Sequence, residues 1–284
     1  MSQMQELEAE LRAIGATYSG KWTCALTDLS TGEHIAINED DVMPTASLIK
    51  TPVLVALYQA VHDGKLSLSD RVHYGAEHNC LGSGVLQYLE PGVELSVRDA
   101  AVLMMIISDN AATNMCIDLA AIDWINEQMH RRGLTKTELK LRLGDPGIGM
   151  EGRNMAVSTA GEIVRLLTLI YQHECVSPEA DEDMLRIMRR CQTRAELTRL
   201  LPWNELNMLP KHRDTWVAEK GGSFLNGVRT SGAIFHGPRT TFVMSAFSEG
   251  GLAGGTGANA EGNELNGKLG LAAWRALAAA DTAG

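Results

Sequence analysis

Two residues three positions apart, Ser47 and Lys50, have the types and the spacing for nucleophilic catalysis. Side chains at i and i+3 share one face of a helical turn, so the Ser47 hydroxyl and the Lys50 amine can meet. A serine attacks a carbonyl carbon when a base takes its proton, and lysine becomes such a base when burial and nearby positive charge lower its pKa. The apolar segment 46–57 predicts that environment. The alternative interpretation is a surface helix with a solvated lysine.

The start of this helix carries two further signals. Thr45 is a candidate N-cap, and the N–H groups at a helix start can stabilise a developing oxyanion. Pro52 lacks the N–H that a helix interior needs. The sequence therefore predicts either a separate first turn over 47–50 or a kink immediately after it.

Two later motifs are rich in polar residues. The triplet Ser108-Asp109-Asn110 follows an apolar run. The motif Lys220-Gly221-Gly222-Ser223 ends a predicted strand, and Arg229 follows nine residues after its lysine. Taken singly, the first motif is typical of a helix break with a capping residue, and the second of a lysine beside a flexible turn.

The elements that must position these motifs fall into three blocks. A helix over 3–14 and a hairpin of strands 23–29 and 34–38 come first. Helical patterns then dominate from 43 to about 201. The predicted helices of this block are 52–63, 97–107, 111–132, 160–173 and 183–194. The predicted strands of the last block are 215–219, 227–235 and 241–248, followed by a helix over 265–280.

This order of elements predicts an α+β fold. We expect one antiparallel sheet, built from both chain ends and flanked by the terminal helices, beside an inserted all-helical subdomain. The expected α/β subdomain is discontinuous, 1–42 with 205–284, and the helical subdomain is 43–204. A cleft between the two parts is the expected ligand site.

Composition limits the classes of partner. The 284 residues carry a formal charge of −10, which argues against nucleic acid or an anionic membrane surface but leaves room for a small anionic ligand. No apolar run is long enough to span a bilayer. The segment 1–16 is polar and lacks signal-peptide character, and the five scattered cysteines indicate reduced thiols. These features predict a cytoplasmic protein, or a periplasmic or secreted one if a signal peptide was removed; they leave the oligomeric state open.

In this order, Ser-x-x-Lys, Ser-Asp-Asn and Lys-Gly-Gly resemble the three signature motifs of the serine β-lactamases and penicillin-binding proteins. The segments 46–54, 82–87 and 103–114 are similar to class A β-lactamases, and the resemblance runs from about residue 23 to the last helix. It implies the β-lactamase/transpeptidase-like fold and a serine hydrolase that opens a β-lactam ring through an acyl-enzyme on Ser47. It implies a small β-lactam or related acyl substrate with a carboxylate, and no metal or organic cofactor.

The resemblance also implies four catalytic residues. Ser47 would attack the cyclic amide, Lys50 would be the base or proton relay, and Ser108 would pass a proton to the departing lactam nitrogen. Glu151 is the candidate base for the water that hydrolyses the acyl-enzyme, although Asn154 follows it one residue earlier than the family pattern requires. The alternative for Glu151 is a solvated loop carboxylate.

The implied substrate-binding residues are Asn110, Lys220, Gly222, Ser223 and Arg229. Asn110 would hold the catalytic lysine and the substrate amide, and the N–H of Ser223 would complete the oxyanion hole with that of the nucleophile. Lys220 and Arg229 would bind the substrate carboxylate.

One departure from the family pattern concerns this carboxylate, and it bears on the choice of activity. Gly221 stands where the family has a threonine that helps to bind the carboxylate, and Ser223 is the candidate substitute. The alternatives to a β-lactamase are a D,D-peptidase or esterase on the same scaffold, or a penicillin-binding protein that deacylates slowly.

Overall fold

The structure is a computed structural model, and it describes residues 2–149, 152–202, 215–251, 257 and 259–279. Elements are numbered in chain order. The large sheet contains β1 (Lys21–Asp28), β2 (His34–Ile37), β8 (Trp216–Ser223), β9 (Arg229–His236) and β10 (Thr241–Glu249). The shorter strands are β3 (Met43–Pro44), β4 (Arg71–His73), β5 (Glu94–Ser96), β6 (Glu138–Leu139) and β7 (Ala156–Ser158). The α-helices in the described ranges are α1 (Gln3–Gly15), α2 (Lys50–His62), α3 (Val97–Ile106), α4 (Asn110–Ala120), α5 (Ile122–Arg131), α6 (Ala160–Tyr171), α7 (Pro178–Met188) and α8 (Glu261–Ala273).

The large sheet is antiparallel and takes strands from both ends of the chain. Its order is β2-β1-β10-β9-β8, so β8 forms one edge. The terminal helices α1 and α8 pack together on one face, and α6 packs on the other. The predicted α+β fold class is confirmed.

The two faces of the sheet contribute to two apolar clusters. Successive side chains of a strand point to opposite faces. Leu26 and Phe235 are accordingly buried with α1 and α8, whereas their neighbours Ala25 and Ile234 are buried with α6 and the rest of the helical region. This pattern makes the sheet a wall between the terminal helices and the inserted helices. The boundaries at 42/43 and 204/205 stay a prediction.

The bounds of two predicted helices are wrong. The segment 111–132 forms two helices, α4 and α5, because Ala121 between them has a left-handed backbone with φ 67°. The helix predicted over 183–194 begins at Pro178, where the Ser177 hydroxyl accepts a hydrogen bond from the N–H of Ala180. In both cases a local backbone signal overrides the apolar periodicity.

Two observations concern the predictions about membranes and cysteines. Among the described residues, none of the helices combines the length and the hydropathy that crossing a bilayer requires. All five cysteines are buried, and none of them forms a disulfide.

Candidate active site

Ser47 lies at the mouth of a cleft, in a short 3₁₀ turn over 46–49 that precedes α2. The prediction of a separate first turn is confirmed. Pro52 is the third residue of α2, where a backbone N–H has no intrahelical partner, so the proline costs no helical hydrogen bond. Thr45 occupies the predicted N-cap position of this turn, but its side chain makes no capping hydrogen bond.

Lys50, three residues after Ser47, is fully buried. Its Nζ contacts the Ser108 carbonyl oxygen at 2.7 Å, Ser108 Oγ at 2.9 Å and Asn110 Oδ1 at 2.8 Å. Burial, and then the positive charge of Lys220, lower the pKa of Lys50 well below its usual value, and Asp109 opposes this shift more weakly. Lys50 is therefore suited to hold its amine neutral. No hydrogen bond between Ser47 Oγ and Lys50 Nζ is present among the described residues, so direct contact between the two stays a prediction.

Ser108 occupies the junction between α3 and α4 in a left-handed conformation with φ 57°. A non-glycine residue in this region is strained, and such residues cluster at functional sites. The next residue, Asp109, fixes the junction from both sides. One of its carboxylate oxygens accepts from the N–H of Ala112 and caps α4, and the other accepts from the N–H groups of Val85 and Leu86.

Lys220 reaches the same serine from the edge strand β8. Its Nζ lies 3.2 Å from Ser108 Oγ and 2.6 Å from the carbonyl oxygen of Gly221. Burial lowers the pKa of Lys220, and the neighbouring acidic groups of Cys191, Glu196 and Glu219 oppose this shift. The predicted residues of the three motifs thus meet, because Ser108 Oγ lies between the amines of Lys50 and Lys220.

The backbone at Gly222 passes directly beside the backbone of Ser47. A Cβ atom at this position would lie 2.7 Å from the N of Ser47 and 2.8 Å from the N of Leu48, so only glycine allows this approach. The N–H of Phe224 donates to the carbonyl of Val228 on the hairpin side of β8. Since donors alternate along a strand, the N–H of Ser223 points to the open edge of the sheet. This geometry suits an oxyanion hole formed by the N–H groups of Ser47 and Ser223.

Asn110 and Arg229 both line the cleft. Asn110 contacts Lys50 through Oδ1, and its Nδ2 donates to the carbonyl of Leu81 at 3.0 Å. Arg229 is 1% exposed on β9, and its Nη1 donates to the carbonyls of Phe224 and Val228. One cleft of about 930 Å³ is lined by four of the five predicted binding residues, which are Asn110, Gly222, Ser223 and Arg229. The fifth, Lys220, is buried, and its Nζ reaches Ser108 in the wall of this cleft.

The space that a side chain at Gly221 would occupy is filled by another residue. This space is taken by the carboxylate of Glu196, since a Cβ at 221 would lie 2.2 Å from Glu196 Oε2. Ser223 is exposed at the end of β8. Its candidate role as the substitute hydroxyl stays a prediction.

Glu151, the candidate deacylation base, lies outside the described residues. The nearby Asn154 is exposed and donates to the carbonyl of Gly147 at 3.2 Å. The described loop over 143–149 forms one wall of the cleft and contributes Asp145. The place of Glu151 in the site stays a prediction.

Sequence reasoning missed two residues of the site, Asp109 in its bracing role and Glu196. Asp109 lies within the Ser-Asp-Asn motif, and its capping position before α4 was the only signal that indicated its bracing role. Glu196 stands 24 residues before Lys220 and belongs to no motif. Its one indirect signal is the missing side chain at Gly221.

Comparison with known proteins identifies a family that matches nearly the whole chain. A family model described as "Beta-lactamase enzyme family" matches residues 6–277. The chain is 22% identical over 237 residues to β-lactamase CARB-4 of Pseudomonas aeruginosa, covering 82% of this chain and 78% of that protein. Among solved structures, a β-lactamase from Sphaerobacter thermophilus has 26% identity and a TM-score of 0.81, over 96% of this chain and 97% of that chain. The structure of PBP-A has 26% identity and a TM-score of 0.83, over 96% of both chains.

Proposed function

Because the chain belongs to the β-lactamase enzyme family, we propose that it opens β-lactam rings through an acyl-enzyme on Ser47. The observation that carries this proposal is the contact of Ser108 Oγ with the amines of both Lys50 and Lys220, beside a cleft that Ser47 lines. This arrangement places the buried amine of Lys50, the hydroxyl of Ser108 as a proton relay and Ser47 as the proposed nucleophile in one site.

In the proposed acylation, neutral Lys50 takes the proton of the Ser47 hydroxyl as Oγ bonds to the lactam carbonyl carbon. The negative charge that develops on the carbonyl oxygen is stabilised by the N–H groups of Ser47 and Ser223. The carbonyl then re-forms and the ring C–N bond breaks. Lys50 passes its proton through Ser108 Oγ to the lactam nitrogen, so the base is neutral again and the acyl group is an ester.

Two positive groups support the choice of substrate. Lys220 and Arg229 lie on the adjacent strands β8 and β9, and both are buried near the cleft. Two positive groups close to the cleft suit a substrate that carries a carboxylate, such as a β-lactam or a peptide C-terminus, because charge-assisted hydrogen bonds to a carboxylate are strong. The Lys220 amine also contacts Ser108 Oγ, so Lys220 connects the proposed carboxylate-binding site with the proposed proton relay.

One comparison favours a second candidate function. A variant of PBP-A, 25% identical to this chain with a TM-score of 0.81, is described as an acyl-enzyme complex with penicillin G. A slowly deacylating penicillin-binding protein, or a D,D-peptidase or esterase, would use the same acylation residues. The difference lies in the hydrolysis of the ester, for which Glu151 is the proposed base.

The test is intact-protein mass spectrometry during incubation with penicillin. A mass increase of one penicillin that appears and then decays, with product accumulating, supports a β-lactamase. A mass increase that persists supports the penicillin-binding alternative. A protein that never gains this mass and leaves penicillin intact contradicts both.

A further inference from the structure

Glu196 is a buried carboxylate in the cleft that no step of the proposed acylation uses. It is 5% exposed, and it lines the same cleft as Ser47, Gly221 and Arg229. Burying a carboxylate costs free energy, because burial disfavours its charged form. A carboxylate at this position therefore indicates a structural or functional role. Its surroundings indicate a role in ligand selection.

The first observation is steric. A Cβ atom at Gly221 would lie 2.2 Å from Glu196 Oε2 and 2.7 Å from its Cδ, so a side chain at 221 and this carboxylate exclude each other. Position 221 directly follows Lys220 in β8. The Glu196 carboxylate thus stands in the volume of the missing side chain, at the cationic end of the cleft.

The second observation is electrostatic. The titratable groups that act on Glu196 are Glu219 and Lys220 from β8 and Arg229 from β9. Burial, and then the charge of Glu219, raise the pKa of Glu196 to about 7, against the two cations and the backbone N–H of Ala195, which lower it. Glu219 itself is held on the other side by the hydroxyls of Thr198 and Ser231.

We propose that Glu196 is a specificity-determining residue, which controls whether the pocket of Lys220 and Arg229 accepts a ligand carboxylate or a neutral group. This inference rests on the proposed function, since it assigns a ligand class to the same cleft. A protonated Glu196 donates a hydrogen bond to an entering carboxylate and does not offset the positive charges of Lys220 and Arg229 that attract it. An ionised Glu196 repels that carboxylate and offsets one of the two positive charges.

The sign of the pH dependence follows from the raised pKa. Below pH 7 Glu196 is mainly protonated, and above pH 7 it is mainly ionised. A penicillin carboxylate has a pKa of about 3.5, as other carboxyl groups next to an amide do, and stays ionised throughout. Affinity for penicillin therefore falls as the pH rises through about 7, while affinity for its uncharged methyl ester does not.

The experiment measures binding without chemistry. Ser47→Ala and the double variant Ser47→Ala/Glu196→Gln are titrated by calorimetry with benzylpenicillin and with its methyl ester, at pH 5.5 and pH 8.5. Glutamine has the shape of a protonated glutamate and cannot ionise. In Ser47→Ala we expect the Kd of benzylpenicillin to rise on the order of tenfold between the two pH values. The double variant should bind it equally well at both, and the ester should bind without pH dependence.

The other outcomes contradict the inference. An equal pH effect on benzylpenicillin in both variants would assign the effect to another group, such as Lys50. If neither variant showed a pH effect on the binding of benzylpenicillin, Glu196 would not control the pocket. The same conclusion would follow if the ester bound at both pH values and benzylpenicillin bound at neither. Adduct formation by the wild-type protein with the methyl ester is measured in parallel, and it tests the proposed function separately because it needs no carboxylate contact.

Discussion

Lys50 Nζ lies 2.7 Å from the carbonyl oxygen and 2.9 Å from the hydroxyl oxygen of Ser108, so one buried amine contacts both the backbone and the side chain of a strained residue. This contact joins the start of α2 to the junction of α3 and α4. In the proposed acylation, it positions the proton donor for the leaving group next to the base that serves Ser47. The two proton transfers of the proposed acylation therefore share one short path.

The first prediction concerns the base. Lys50→Arg keeps a positive charge but cannot lose its proton, so the acylation rate should fall about 10²- to 10⁴-fold. In the wild-type protein the rate should rise with pH and level off well below 10.5, the ordinary pKa of lysine, since the pKa of Lys50 is lowered. Stopped-flow kinetics from pH 5 to 10 measures both. A variant with near wild-type rates, or a rate that still climbs at pH 10, would remove Lys50 from this role.

The second prediction concerns the close approach at Gly222. Alanine there meets the backbone N atoms of Ser47 and Leu48, so the strand must move away from the oxyanion site. We expect Gly222→Ala to slow acylation about 100- to 1,000-fold. The control is Gly64→Ala, in a turn with open space and φ +71°. It should cost about 1 kcal/mol of stability and leave the acylation rate unchanged. Equal rates for the two variants would exclude a special role for Gly222.

The third prediction concerns the anion pocket. A charge-assisted hydrogen bond is worth about 1.5–3 kcal/mol, so Arg229→Ala should slow acylation by benzylpenicillin about 10- to 100-fold more than acylation by its methyl ester. The ratio of the two substrates is the readout, because Arg229 also donates to two backbone carbonyls and its loss disturbs the fold for both. Equal losses for the two substrates would assign Arg229 a structural role alone.

The fourth prediction concerns Glu151, which lies outside the described residues. If it is the deacylation base, Glu151→Gln should leave acylation fast and slow the decay of the adduct about 10²- to 10⁴-fold. Asp145→Asn is the matched control, because Asp145 is an exposed carboxylate in the wall of the same cleft. Turnover of penicillin by Glu151→Gln at the wild-type rate would refute the assignment, and a long-lived adduct in Asp145→Asn would transfer it to that residue.

The sequence predicted the parts of the site whose residues are local in the chain. The Ser47–Lys50 pair and the Ser108-Asp109-Asn110 triplet lie at element boundaries that the apolar pattern also indicates. The structure brings Ser47, Ser108 and Asn110 into one cleft, and Lys50 contacts Ser108 and Asn110. The alternation of apolar residues likewise predicted a sheet with strands from both chain ends. These signals depend on residues that are close together in the chain, so they can be read from the sequence without knowledge of the tertiary fold.

The rest depends on contacts between distant segments. Glu196 reaches the cleft only because its segment packs against β8, and nothing in its neighbouring residues indicates this position. Ala121 breaks a helix that its apolar pattern continues, through a backbone conformation that alanine rarely adopts. Neither the position of Glu196 nor the backbone conformation of Ala121 can be read from the apolar periodicity of the sequence.

The central claim is that Ser47 is the residue acylated by β-lactams, and peptide mapping of the adduct tests it most directly. Wild-type protein and Ser47→Ala are each incubated with penicillin, quenched, digested and sequenced by mass spectrometry. We predict one added penicillin mass in the wild-type protein, located on Ser47, and none in the variant. An adduct on another residue, or a Ser47→Ala protein that still gains one penicillin mass, would contradict the account.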